Sequence, residues 1–204
     1  MPCFHKFHTY LNLERINDFE PTTLIVGTFN PEWPATNYAE WFYGRTSNNY
    51  FWDVLPRVYT SSEMRTKNQS DWKIFCKTNS IAITDLISSI DDAEITNENH
   101  IKLLGEYTDT SIATNFKKQI PTNIVAILKS KPTIKNIYLT TTVNTGLFKD
   151  WWNSIKIHCK QNNIYCKQLM TPSKGARFLM AKGSGIKMPD FIYNDWKSKW
   201  HQIN

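Results

Sequence analysis

Thr23-Leu24-Ile25-Val26-Gly27-Thr28-Phe29-Asn30-Pro31-Glu32 is the stretch on which the fold turns. Its first half is continuously apolar rather than alternating, the pattern of a strand covered on both faces, and it closes on a glycine and an Asn-Pro turn. Ser80-Ile81-Ala82-Ile83-Thr84 and Asn136-Ile137-Tyr138-Leu139-Thr140 repeat the pattern, and Ile164-Tyr165-Cys166-Lys167-Gln168-Leu169-Met170 adds a fourth strand. Between them lie segments of helical character: 49–59, 72–77, 97–104, 120–129 opened by Pro121 in the first turn, and 144–161. A last helix over 190–202 sets Ile192, Trp196 and Trp200 in an aromatic stripe that reads as core. Strands alternating with helices imply right-handed crossovers, hence a three-layer α/β/α domain around a four-stranded parallel sheet. Ligands of such sheets bind beyond the carboxyl ends of the strands, so the residues after Val26, Ile83, Leu139 and Met170 are the ones to inspect.

The composition sets the limits. A chain of 204 residues, 41% hydrophobic, is expected to form one domain over 1–204. It holds no apolar run of membrane-spanning length, and Met1 to His8 lack the apolar stretch of a secretory leader, so a cytoplasmic location is expected. The four cysteines, Cys3, Cys76, Cys159 and Cys166, are scattered and read as reduced thiols. Cys3, His5 and His8 lack a fourth ligand at metal spacing, so no metal and no cofactor is expected. None of the five histidines falls at a strand end, and all read as surface or terminal residues. A net charge of +6 permits phosphate contacts, and 14% aromatic residues suit base stacking and a core equally.

The motifs narrow this. Gly27 to Pro31, followed downstream by Asn49-Tyr50-Phe51-Trp52, resembles the first motif of the uracil-DNA glycosylase superfamily. There, strand one ends in Gly-x-Asn-Pro or Gly-x-Asp-Pro and an Asn-x-Phe-Trp opens a helix; Asn49, Phe51 and Trp52 match, while the turn carries one residue more than the pattern. Ile83-Thr84-Asp85-Leu86 and Pro172-Ser173-Lys174-Gly175-Ala176-Arg177 are similar to stretches of the mismatch-specific uracil and thymine glycosylase branch. An apolar residue at the Phe29 position is a feature of the hypoxanthine-DNA glycosylase branch, which draws its catalytic amide from the end of the third strand, here near Thr140.

What the resemblance implies is a monomeric, monofunctional DNA glycosylase that flips a uracil-like, modified or mismatched base out of duplex or single-stranded DNA and hydrolyses its N-glycosidic bond with a positioned water. Asn30 or Asp85 would hold that water, and Thr28, Phe29, Phe42, Tyr43 and Asn49 would receive the base. Ser47, Thr171, Pro172, Ser173, Lys174 and Arg177 would meet the DNA. Plainer roles are open to several of them: Asn49 or Asp85 as a helix cap and Pro172 to Arg177 as an ordinary strand-to-helix turn, while Glu32, next to Asn30-Pro31, would line the pocket mouth or stand as a solvated loop carboxylate. No lysine is placed for a Schiff base. The alternatives are a catalytically silent nucleic-acid-binding protein of the same fold, and an α/β enzyme acting on a free nucleoside or nucleotide.

Overall fold

The computed structural model describes residues 1–16, 18–141 and 146–201. The expected sheet is present: β2 (Thr23–Gly27), β3 (Ile81–Asp85), β6 (Asn136–Leu139) and β7 (Tyr165–Gln168) run parallel in the order β3-β2-β6-β7. Successive residues of these strands serve opposite faces. Leu24, Val26, Ala82, Ile137 and Leu139 enter one core with α3 (Glu98–Gly105), α4 (Asp109–Asn115), α5 (Ile124–Ser130) and α6 (Gly146–Gln161). Ile25, Ile81, Ile83 and Tyr138 enter the other, with α1 (Phe51–Val58), α2 (Gln69–Thr78) and α7 (Met188–Lys199). This is the three-layer α/β/α arrangement that the sequence implied.

A second, antiparallel sheet was not foreseen. β1 (Cys3–Phe4), β4 (Ile87–Ile90) and β5 (Gln119–Pro121) pair in the order β1-β4-β5. β4 leaves β3 across Leu86 alone, so the chain passes from one sheet to the other at Asp85. The expected helix over 120–129 is corrected in consequence. Residues 119–121 belong to β5, and the helix begins only at Ile124, where the Asn123 side chain accepts from the Ala126 N–H. Pro121 looked like a first-turn proline but sits on a sheet edge, where a missing N–H is equally harmless. The starts and ends of the other helices move by a few residues; Asn144 and Gln202 of the expected boundaries lie outside the described residues.

The face carrying α1, α2 and α7 is built largely of rings. Trp52 is 1% exposed, lies parallel to Trp72 with centroids 5.0 Å apart, meets Phe51 and Phe75 edge-on, and donates from Nε1 to the Phe42 carbonyl at 3.0 Å. Trp196, on α7, packs against Phe51 and donates from Nε1 to the Met170 carbonyl at 2.8 Å. Trp52→Ala is expected to lower unfolding free energy by ~3–5 kcal/mol, by loss of buried area, a cavity and an orphaned carbonyl. Denaturant titration of the two proteins measures it.

Candidate active site

The strand order reverses between β2 and β6, and a cleft of about 370 Å³ opens there, at the carboxyl edge of the parallel sheet. Its floor is made by the ends of four strands' worth of chain: Gly27 to Asn30 after β2, Asp85 closing β3, Thr140 and Thr141 after β6, and Thr171 to Ser173 beyond β7. Its rim comes from Tyr43, Gly44, Arg45 and Asn49 on one side and Tyr107 to Thr110 on the other.

Asp85 is 5% exposed and receives a hydrogen bond from His5 Nε2 at 2.6 Å. His5 is wholly buried, and its Nδ1 accepts the Phe7 N–H at 2.9 Å, which leaves the ring proton on Nε2, pointing at the carboxylate. The histidine that the sequence placed at the surface is thus a partner of the site, a contact set by backbone pairing: β1 runs beside β4, and His5 bridges to Pro31. The other carboxylate oxygen, Oδ1, presses against the Cα of Gly27, where any Cβ would collide with it and lie 2.7 Å from the Tyr43 hydroxyl. Glycine is required at this position so that carboxylate and phenol can both approach the strand end.

Tyr43 adopts a left-handed backbone (φ 56°), lies flat on Phe51 at 3.8 Å, and shares a 2.7 Å hydrogen bond with Thr140 Oγ1. Burial, reinforced by Asp85, drives its pKa well above that of a free phenol, so it stays protonated. Asp109, at the start of α4, accepts from Thr28 Oγ1 at 3.1 Å and Thr141 Oγ1 at 2.5 Å. Burial raises its pKa, against the lowering effect of those two hydroxyls.

Of the residues expected to form the site, Thr28, Phe29, Asn30, Tyr43, Asn49, Asp85, Thr171, Pro172 and Ser173 line the cleft. Asn30 Oδ1 accepts from Asn37 Nδ2 at 2.6 Å, and its Nδ2 finds no acceptor among the described residues. Asn49 Oδ1 accepts the Phe51 N–H at 2.8 Å, a turn contact from the residue before the N-cap Tyr50 rather than a helix cap, and Asn49 also bridges to Ser173. Tyr50 N–H to the Pro172 carbonyl and Lys174 N–H to the Asn48 carbonyl flank that bridge, so the two motifs are laced together by backbone. Phe42 does not line the cleft: it is 1% exposed, packed against His5, Phe7 and Trp41. Ser47, Lys174 and Arg177 lie outside it on the surface, and Glu32 is exposed. Cys3 donates to backbone carbonyls, and among the described residues no group of three or more His, Cys, Asp and Glu side chains is gathered as for a metal ion.

His5, Arg45, Tyr107, Asp109 and Thr141 were not foreseen. The Thr108-Asp109 pair carries a helix-start signal, and Thr108 Oγ1 does accept the Ser111 N–H, but nothing in the local sequence aims Asp109 at a strand end.

No protein-family model and no curated protein matches the chain. Among solved structures, a solution NMR structure of a candidate uracil DNA glycosylase from Methanosarcina acetivorans superposes with a TM-score of 0.55. The match covers 90% of this chain and 94% of that one at 12% identity, a likeness of fold.

Asp109→Asn keeps the shape and the two hydroxyl contacts while removing the charge. Because the folded pKa of Asp109 is raised, the wild-type protein loses stability as pH climbs from the ordinary carboxylate value, about pH 4, through the raised one. The melting temperature of Asp109→Asn relative to wild type is therefore expected to rise over that interval and level off above it. Paired thermal melts across pH measure the difference.

Proposed function

We propose that this protein is a monofunctional DNA glycosylase that hydrolyses the N-glycosidic bond of a uracil-like base. The observation that carries the reading is Asp85: a carboxylate at the sheet's carboxyl edge, one oxygen bound by buried His5, the other brought to Gly27 and Tyr43 inside the cleft. The cleft has the volume of a small-ligand pocket. The fold likeness to the Methanosarcina protein, together with the resemblance of the Gly27–Trp52, Ile83–Leu86 and Pro172–Arg177 stretches, supports DNA as the source of the base.

In this reading the flipped nucleotide lays its base along Tyr43, whose other face is covered by Phe51. Asp85 orients a water toward C1′ and takes its proton as the C1′–N bond breaks, and His5 keeps the carboxylate oriented. Asn30, through its unshared Nδ2, donates to the base or the water.

The DNA-facing element is the loop beyond β7. Pro172 is buried, but further along the same loop Phe178 is 80% and Leu179 61% exposed, beside exposed Lys174 and Arg177. Exposed apolar side chains flanked by cations suit insertion between base steps with phosphate contacts alongside.

The test is incubation with duplex and single-stranded oligonucleotides carrying uracil, hypoxanthine, mismatched thymine or hydroxymethyluracil, followed by alkali. Strand breakage at uracil-like bases is expected, and Asp85→Asn is expected to slow it by ~10²–10⁴-fold with DNA affinity retained. Salt-dependent DNA binding without breakage on any substrate would overturn the reading in favour of a silent binding protein.

A further inference from the structure

Arg45 is the one cation among the described residues that line the cleft. It follows Tyr43 and Gly44 on the aromatic loop, and its guanidinium carbon sits 3.3 Å from the centre of the Tyr107 ring, which joins the two rims. Its Nη1 is fully buried and has no hydrogen-bond partner, and no carboxylate among the described residues forms an ion pair with the side chain. A buried guanidinium donor left unmatched is costly, by more than an exposed one would be. Stacking on Tyr107 offsets part of the cost but supplies no acceptor. Burial draws the pKa of Arg45 down, yet a guanidinium remains charged at any physiological pH.

The chemistry of the proposed reaction calls for a positive donor here. As C1′–N1 breaks, the bonding pair goes to the base, which departs as an anion with its charge shared between N1 and the adjacent carbonyl oxygen. Water adds to C1′ and gives its proton to Asp85, so the two carboxylates of the cleft, Asp85 and Asp109, are of the wrong sign to receive the base. The hydroxyls at the ends of β2 and β6 are already engaged: Thr28 and Thr141 with Asp109, Thr140 with Tyr43. Resting on the reading of the cleft given above, we propose that Arg45 is the residue that receives the departing base, its guanidinium donating to the carbonyl oxygen beside the glycosidic nitrogen of a pyrimidine.

Arg45 thereby acts on leaving-group charge, a role that mere packing against Tyr107 does not imitate. The experiment compares single-turnover release of uracil and of 5-fluorouracil from otherwise identical duplexes by wild type, Arg45→Lys and Arg45→Gln, with affinity for an abasic duplex and thermal melts as controls. Fluorine stabilises the base anion, so a 5-fluorouracil substrate leans less on the enzyme's donor. Arg45→Gln is expected to slow uracil release by ~10²–10³-fold and 5-fluorouracil release by distinctly less, with Arg45→Lys between wild type and Arg45→Gln. Equal losses for the two bases in both variants, or no loss, would overturn the assignment while leaving the glycosylase reading intact. Release of neither base by the wild-type protein would overturn both.

Discussion

A carboxylate buried at the end of a strand must be given donors, and at Asp85 the donor comes from the far end of the chain. The small antiparallel sheet, besides burying Cys3, Ile87 and Ile90, brings His5 to Asp85. β4 departs from the parallel sheet immediately after Asp85, and β1 pairs with it through Cys3 opposite Ile90 and Phe4 opposite Ser89. That register, continued by His5 N–H to the Ser88 carbonyl and Lys6 N–H to the Asn30 carbonyl, leaves the His5 ring little choice but to face the strand end. The Phe7 N–H then fixes which nitrogen carries the proton. The pairing of these short strands thus orients one imidazole.

The same economy governs the rim. The loop beyond β7 is held from both sides: Asp195 accepts the Met170 N–H at 2.8 Å, Trp196 donates to the Met170 carbonyl, and Ser173 bridges to Asn49. Because Phe51 stacks on Tyr43 and packs against Trp196, the aromatic loop, the entry to α1 and the closing helix form one ring cluster. Such a cluster is rigid, since side chains packed to interior density shift only together. It holds the Tyr43 hydroxyl at the Thr140 hydroxyl while Phe178 and Leu179, a few residues beyond the anchored stretch, remain in solvent.

How much of this was legible in the sequence follows from the range of each interaction. The four parallel strands were readable because burial on both faces writes itself locally, as unbroken apolar runs, and Gly27, Asp85 and Thr140 could be placed at strand ends by topology alone. The helix expected over 120–129 began in the wrong place because Pro121 satisfies a first helical turn and a sheet edge equally well, and only the pairing with β4 decides between them. His5 was unreadable for a stronger reason: eighty positions separate it from Asp85, and a terminal histidine has the same local sequence whether buried or exposed. Arg45 and Asp109 likewise acquire their places from loops that meet across the cleft. Asn49 shows the converse, a motif residue whose oxygen is occupied by a local turn bond to the Phe51 N–H just ahead of α1.

Counting donors and acceptors across the cleft shows what it is prepared to hold. The Thr28 and Thr141 hydroxyls are spent on one oxygen of Asp109, Tyr43 and Thr140 on each other, and His5 on one oxygen of Asp85. The donors left without partners among the described residues include Asn30 Nδ2 and the Arg45 guanidinium, and Asp85 Oδ1 is an acceptor standing at the strand end. A ligand that completes this set presents acceptors to the asparagine and the arginine and something proton-bearing to the carboxylate. In the proposed reading, a nucleobase carbonyl on one side and a water beneath the sugar on the other would satisfy that demand, because bond cleavage would make the first more negative as the second gives up its proton. On that reading, a preformed arrangement of this kind would match the charge that develops during reaction better than the neutral groups present before it, and that difference is what would accelerate the step.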